Sequence, residues 1–232
     1  MRDPLGLNER LFAFYYPRLI ALSERAGQRE TRRELLAEAT GRTLELGAGS
    51  GLNLAHYTPG VSELIVTEPS PHMLGHLRES LRADPPSVGS WRLVQAGAER
   101  LPFAADSFDT VVATYVLCTI GDPAWALVEI ARVLRPGGRF LFLEHVHAGE
   151  GTRLGRFQDL VEVPHRYLAA GCHPNRRTGA LLEASSLDVE RLDRGCQPRS
   201  IPTVRPTIIG RARRAGRPEA DTSAPAAAER DP

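Results

Sequence analysis

The run Glu45-Leu46-Gly47-Ala48-Gly49-Ser50-Gly51 constrains this chain more than any other stretch. It follows a short apolar segment, Thr43 to Leu46, and precedes a helical one, so it reads as a strand-to-helix turn. Three glycines there let a ligand approach bare backbone at a helix N-terminus. Dinucleotide sites space their glycines G-x-G-x-x-G, whereas here the spacing is G-x-G-x-G and Leu52 occupies the place of the third glycine. The turn therefore points away from a nicotinamide dinucleotide.

Around this turn strand and helix signals alternate. Strands are expected at Thr43 to Leu46, Leu64 to Glu68, Trp91 to Ala96, Asp109 to Tyr115 and Arg139 to Val146, with a short helix after Gly51 and helices from Pro71 and from Pro123 to Arg135. Ser70-Pro71 and Asp122-Pro123 each put a capping side chain before a first-turn proline, and Pro136-Gly137-Gly138 is a stop signal. The alternation predicts an α/β fold with a mostly parallel sheet and helices on both faces. Residues 1–40 read as an N-terminal helical cap, with apolar spacing from Leu11 to Leu36, and residues 41–147 as the ligand-binding core. Residues 148–213 read as an insertion over one end of the sheet plus two last strands, near Leu187 and Thr207, and residues 214–232 as a disordered tail without apolar periodicity.

Charge and cysteine usage narrow the function classes. The 29 basic residues, all Arg, nearly cancel 28 acidic ones, and the net charge of +1 argues against a nucleic-acid partner. Cys118, Cys172 and Cys196 are odd in number and form no C-x-x-C pair, which suits a reducing cytoplasm. No signal peptide is legible near the N-terminus, and the longest apolar run, Val111 to Ile120, is far short of a membrane span.

The chemistry-bearing residues cluster at the strand ends. Glu45 can face a cationic amino group, and Glu68 lies 17 residues beyond Gly51, where an acid can accept both hydroxyls of a ribose. Gly97-Ala98-Glu99 ends the third strand at a turn against which an adenine ring can lie. Together with Leu101-Pro102-Phe103, Ser107-Phe108-Asp109 and Leu134-Arg135-Pro136-Gly137-Gly138, these motifs resemble class I S-adenosylmethionine-dependent methyltransferases of the type 11 group, over about Thr43 to Val146. Val112 to Thr119, Phe142 to Val146 and Gly171 to Arg176 are similar to the branch that contains the alkyl-thiol methyltransferases.

The resemblance implies a Rossmann-like seven-stranded sheet with an antiparallel last strand, for which Thr207 to Arg211 is the candidate. It implies S-adenosyl-L-methionine as cofactor, S-adenosyl-L-homocysteine as product, and in-line transfer of the methyl group to a small molecule. It places Gly47, Gly49 and Gly51 under the methionine and ribose, Glu68 at the ribose, Met73 beside the purine and Ala98-Glu99 at the adenine edge; Glu45, Ala48, Asn53, Pro69 and Thr114 complete the expected cofactor-binding set. A thiol is the first candidate acceptor; a small-molecule O-, N- or C-methyltransferase of secondary metabolism, or a cofactor-binding module without turnover, is the alternative.

His145 is the candidate catalytic base at the end of the fifth strand, against a strand-end histidine bonded to backbone. Glu144 beside it should point to the other face. Tyr15, Tyr16, Cys118, Cys172, His173 and Asn175 are the other acceptor-pocket candidates, with packing the competing role for the tyrosines. His72 and His76 have no third ligand, and Cys172-His173 with His165 reads as a lid loop, so no metal is expected.

Overall fold

In the computed structural model, which describes residues 20–216, seven strands form one sheet in the order β3-β2-β1-β4-β5-β7-β6. The strands are β1 (Gly41–Leu46), β2 (Val61–Thr67), β3 (Trp91–Val94), β4 (Phe108–Thr114), β5 (Leu134–His145), β6 (Leu187–Cys196) and β7 (Pro206–Arg214). The helices are α1 (Arg29–Leu36), α2 (Pro71–Ala83), α3 (Pro123–Val133), α4 (Arg153–Leu168) and α5 (Thr178–Glu183). A π-helical turn, Glu24–Gln28, kinks the chain ahead of α1 at Gly27, whose φ is +126°.

β1 to β5 are mutually parallel, and β7 pairs antiparallel with both β5 and β6. β7 alone runs against the others, which is the Rossmann-like sheet with an antiparallel last strand that the resemblance implies. Strand order reverses at β1, between β2 and β4, and a ligand crevice opens outside the carboxyl ends of strands at such a point.

Period-two alternation buries both faces of the sheet. Leu44, Leu46, Val111, Ala113, Phe140 and Phe142 pack on the side of α3, while Leu64, Val66, Val112, Leu141 and Leu143 pack with Leu35, Leu36, Leu74 and Leu77 of α1 and α2. The capping signals hold: Ser70 Oγ accepts from the Met73 amide, and Asp122 Oδ1 accepts from the Trp125 amide at 2.9 Å.

Several boundaries differ from expectation. α3 ends at Val133 rather than Arg135, because Leu134 already pairs with Phe108 and the residue before Pro136 is disfavoured in the helical region. The short helix after Gly51 is a 3₁₀ turn, Leu54–His56, and β3 ends at Val94. Arg213 and Arg214 lie inside β7, where they pair with Asp188 and Leu187, so the strand runs past the expected start of the tail. Residues 217–232 of that tail lie outside the described residues, as do Tyr15 and Tyr16.

One side chain of the inserted segment ties three connections together. Gln158 of α4 is fully buried; its amide nitrogen donates toward the carbonyls of Val146 (3.1 Å), Pro174 (2.7 Å) and Thr203 (2.8 Å), and its oxygen accepts from the Ala148 amide at 2.7 Å. The loop around residues 172–176 and the β6–β7 connection are thereby held over the carboxyl ends of the parallel strands.

Candidate functional site

A cavity of about 800 Å³ occupies that position, a volume suited to a cofactor together with a small molecule. Its floor is the turn after β1. Gly47 and Gly49 have φ of +55° and +59°, and a Cβ on Gly47 would meet a methyl of Val116 at 3.0 Å. Glu68, just past β2 and 5% exposed, locks this turn: one carboxylate oxygen accepts from the Gly49 amide and the other from the Ser70 amide, each at 2.8 Å.

Of the residues expected to hold a cofactor, Gly47, Ala48, Gly49, Asn53, Glu68, Pro69, Met73, Ala98, Glu99 and Thr114 line the cavity. Two others sit behind its wall. Gly51 is required by packing, since a Cβ there would come within 2.8 Å of Leu54 and 3.1 Å of Leu77. Glu45 is 1% exposed and does not line the cavity; its Oε1 accepts from Asn53 Nδ2 at 2.9 Å. It supports Asn53 instead of facing a ligand. Burial pushes the Glu45 carboxyl up to about 7, only partly countered by Tyr57, Asn53 and Arg32.

Arg32 of α1 was not singled out in the sequence, where a lone arginine on an amphipathic helix reads as a solvated face. It is 3% exposed and lines the cavity. Its guanidinium pairs with Glu24 at 2.9 Å and donates to Asn53 Oδ1 at 2.8 Å and Thr114 Oγ1 at 3.0 Å, which joins α1, β4 and the glycine turn in one polar network.

At the opposite wall, His145 lines the cavity and Glu144 points away, as the alternation of a strand requires. The fully buried Glu144 carboxylate accepts from the amides of Val116 (3.0 Å), Leu117 (2.9 Å) and Cys118 (3.0 Å), fixing the loop after β4. His145 Nε2 donates to Gln197 Oε1 at 2.7 Å, and its ring stacks on Tyr115 with centroids 4.1 Å apart. Tyr115 holds a φ of +60°, a conformation that a bulky residue adopts only under strong tertiary constraint, and the Arg32 guanidinium lies 5.3 Å from the centre of its ring. Tyr115, inside the Val112 to Thr119 motif, and Gln197 were not expected as site residues from the sequence.

Cys172 also lines the cavity, and Cys118 is buried behind it. His173 and Asn175 do not reach the cavity. They pin the loop: His173 Nδ1 lies 2.8 Å from Glu162, the His173 amide donates to the Cys118 carbonyl at 2.8 Å, and Asn175 donates to Asp159 at 3.0 Å.

Comparison with known proteins agrees with this geometry. A methyltransferase domain model matches residues 44–142, which run from the first strand to the fifth. The thiol S-methyltransferase TMT1B of Homo sapiens is 33% identical over 220 residues, covering 90% of this chain and 89% of the relative. The thiol S-methyltransferase TMT1A of Homo sapiens is 36% identical over 170 residues, covering 73% and 69%. Among solved structures, an S-adenosylmethionine-dependent methyltransferase of Thermotoga maritima superposes with a TM-score of 0.64 at 18% identity, covering 89% of this chain and 98% of the other, a likeness of fold. The sheet, the glycine turn and a full-length relative together show that the chain belongs to the class I S-adenosylmethionine-dependent methyltransferases, beside the thiol S-methyltransferases.

Proposed function

We propose that this methyltransferase acts on a small thiol. The observation that carries the reading is the match to a thiol S-methyltransferase across nine-tenths of both chains, which includes the inserted segment and the β6–β7 loop that roof the cavity. A likeness confined to the sheet would speak only for the cofactor.

The residues present fit S-adenosylmethionine. Gly47 and Gly49 leave bare backbone at the turn, Glu68 offers carboxylate oxygens suited to a ribose diol, Met73 and Ala98 offer apolar contact to a purine, and Arg32 with Thr114 offers a cation and a hydroxyl for an amino-acid end. When bound, the cofactor supplies an electrophilic methyl on a sulfonium. The protein's own task is then to hold an acceptor in line and exclude water. A thiol with an ordinary pKa near ~8.5 needs little help from a base near neutral pH, and His145 lines the acceptor wall.

No described helix is long and apolar enough to cross a membrane. The three cysteines are free thiols, which supports work in a reducing cytoplasm. The test is S-adenosylhomocysteine release with labelled cofactor across a panel of thiols, phenols and amines. Turnover of thiols is expected; turnover of phenols or amines alone would give the chain to the O- or N-methyltransferases.

A further inference from the structure

The fold brings together two buried cysteines and a histidine that are far apart in sequence. Cys118 follows β4, His145 ends β5, and Cys172 follows α4. Cys118 Sγ and Cys172 Sγ lie 3.9 Å apart, and His145 Nδ1 is 3.6 Å from the first and 3.7 Å from the second.

These three distances match a shared centre. Zinc–sulfur bonds of ~2.3 Å and a zinc–nitrogen bond of ~2.0 Å in a tetrahedron put the sulfurs about 3.8 Å apart and sulfur about 3.5 Å from nitrogen. Nε2–H donates to Gln197, so Nδ1 keeps its lone pair and faces both sulfurs at nearly equal distance.

The surroundings are those of a built site. A metal-bound histidine usually donates its other ring N–H to an oxygen, as His145 does to the buried Gln197. The Cys118 amide is held by Glu144, the His173 amide ties the Cys172 loop to the Cys118 carbonyl, and Arg176 donates to the carbonyls of Leu117 (2.8 Å) and Ile120 (2.6 Å). Among the described residues, this is the group of histidine, cysteine and acidic side chains with the spacing of metal ligands.

We propose that Cys118, His145 and Cys172 hold a thiophilic d10 divalent cation, zinc by geometry, with its fourth position open to the cavity for the sulfur of the acceptor. The last part rests on the thiol reading above; the metal site itself does not. Three protein ligands with an open fourth place are the arrangement of catalytic zinc. Hydrogen bonding to Cys172 and burial hold the Cys118 thiol well above its ordinary pKa. Loading the cation displaces both thiol protons to solvent. An acceptor R–SH then donates a sulfur lone pair to the cation and loses its own proton to solvent, leaving a bound thiolate below the pH at which the free thiol ionises.

The test uses Co²⁺ as a spectroscopic probe on full-length, chelator-stripped, reduced protein. One ion per chain is expected, with sulfur-to-cobalt charge-transfer absorption, the intense visible band of tetrahedral coordination, and displacement by Zn²⁺. Cys118→Ser and Cys172→Ser each lower affinity by more than the roughly 10- to 100-fold expected for an outer partner, while Cys196→Ser, at an exposed thiol, changes nothing.

Because a buried substitution can also disturb folding, a second readout uses the wild type. Saturating Zn²⁺ slows maleimide labelling of Cys118 and Cys172 relative to the metal-free protein, beyond the protection that burial gives, and leaves Cys196 unchanged. No charge-transfer band, a band unaffected by both substitutions, or equal labelling rates with and without Zn²⁺ overturns the site. Propanethiol added to the cobalt form shifts the visible band if the fourth position takes sulfur. An unchanged spectrum at full loading, or thiol turnover by metal-free protein, overturns that part. Failure of every thiol in the activity panel with the cobalt site intact overturns the thiol reading alone.

Discussion

Gln197 Oε1 accepts a hydrogen bond of 2.7 Å from His145 Nε2, across 52 residues of sequence, and so turns the Nδ1 lone pair toward Cys118 and Cys172. Gln197→Leu leaves a buried ring N–H unsatisfied and frees the imidazole to rotate. The expected outcome is a roughly 10- to 100-fold loss of cobalt affinity and a destabilisation of about 1–3 kcal/mol. Equal cobalt titrations for variant and wild type would show that Gln197 does not orient the ring.

Glu68→Ala removes a carboxylate from the cavity wall and releases the Gly49 and Ser70 amides. Cofactor affinity measured by calorimetry is expected to fall by about 1–3 kcal/mol, roughly 5- to 150-fold in Kd. Undiminished binding would remove Glu68 from the ribose site.

Glu45 gives stability a pH dependence of its own. Burial raises its carboxyl from 4.5 to about 7, so between those values the folded chain keeps a proton that the unfolded chain has lost, and stability falls as pH rises. At about 1.4 kcal/mol per pH unit the loss is about 3 kcal/mol, complete above pH ~7. Glu45→Gln lacks the titrating group, so urea unfolding of the two proteins should diverge in the variant's favour from pH 5 to 8. A constant difference would show that the carboxyl does not titrate there.

Gln158 is the clamp between α4 and the sheet. Gln158→Leu keeps the volume but strands three carbonyls and one amide. A loss of about 2–4 kcal/mol is expected, with faster amide exchange in residues 153–176 than in β1 and β4. Uniform acceleration across the sheet would show that the segment has no opening of its own.

Ending the chain at Ala212 removes the last two pairs of β7 with β6, its Arg213 pair with Arg139 of β5, the Arg213–Glu190 ion pair and the Arg214 contacts with Asp106 and the Leu134 carbonyl. A drop of several degrees in Tm is expected relative to a chain ending at Gly216. Coincident melting curves would show that these residues add nothing to the sheet.

The elements with strong local signals were legible in advance. A serine or aspartate before proline marks the starts of α2 and α3, since cap and first-turn geometry depend on adjacent residues alone. The end of α3 was not legible, because pairing between Leu134 and Phe108 competes with the helix there. Glu45 was expected at the ligand and lies behind Asn53, a distinction that depends on how α1 and the turn close over it.

The sequence by itself determined the sheet, the glycine turn and the carboxylate at the end of β2, because period, turn chemistry and spacing are local properties. It led to an expectation of no metal, since the ligands available within short spacings, His72 with His76 and Cys172 with His173, make no set. Only the tertiary structure decided that Cys118, His145, Cys172 and Gln197 meet. They come from the ends of four different elements, and their approach is set by the parallel pairing of β4 with β5 and by the clamp of Gln158 over their ends.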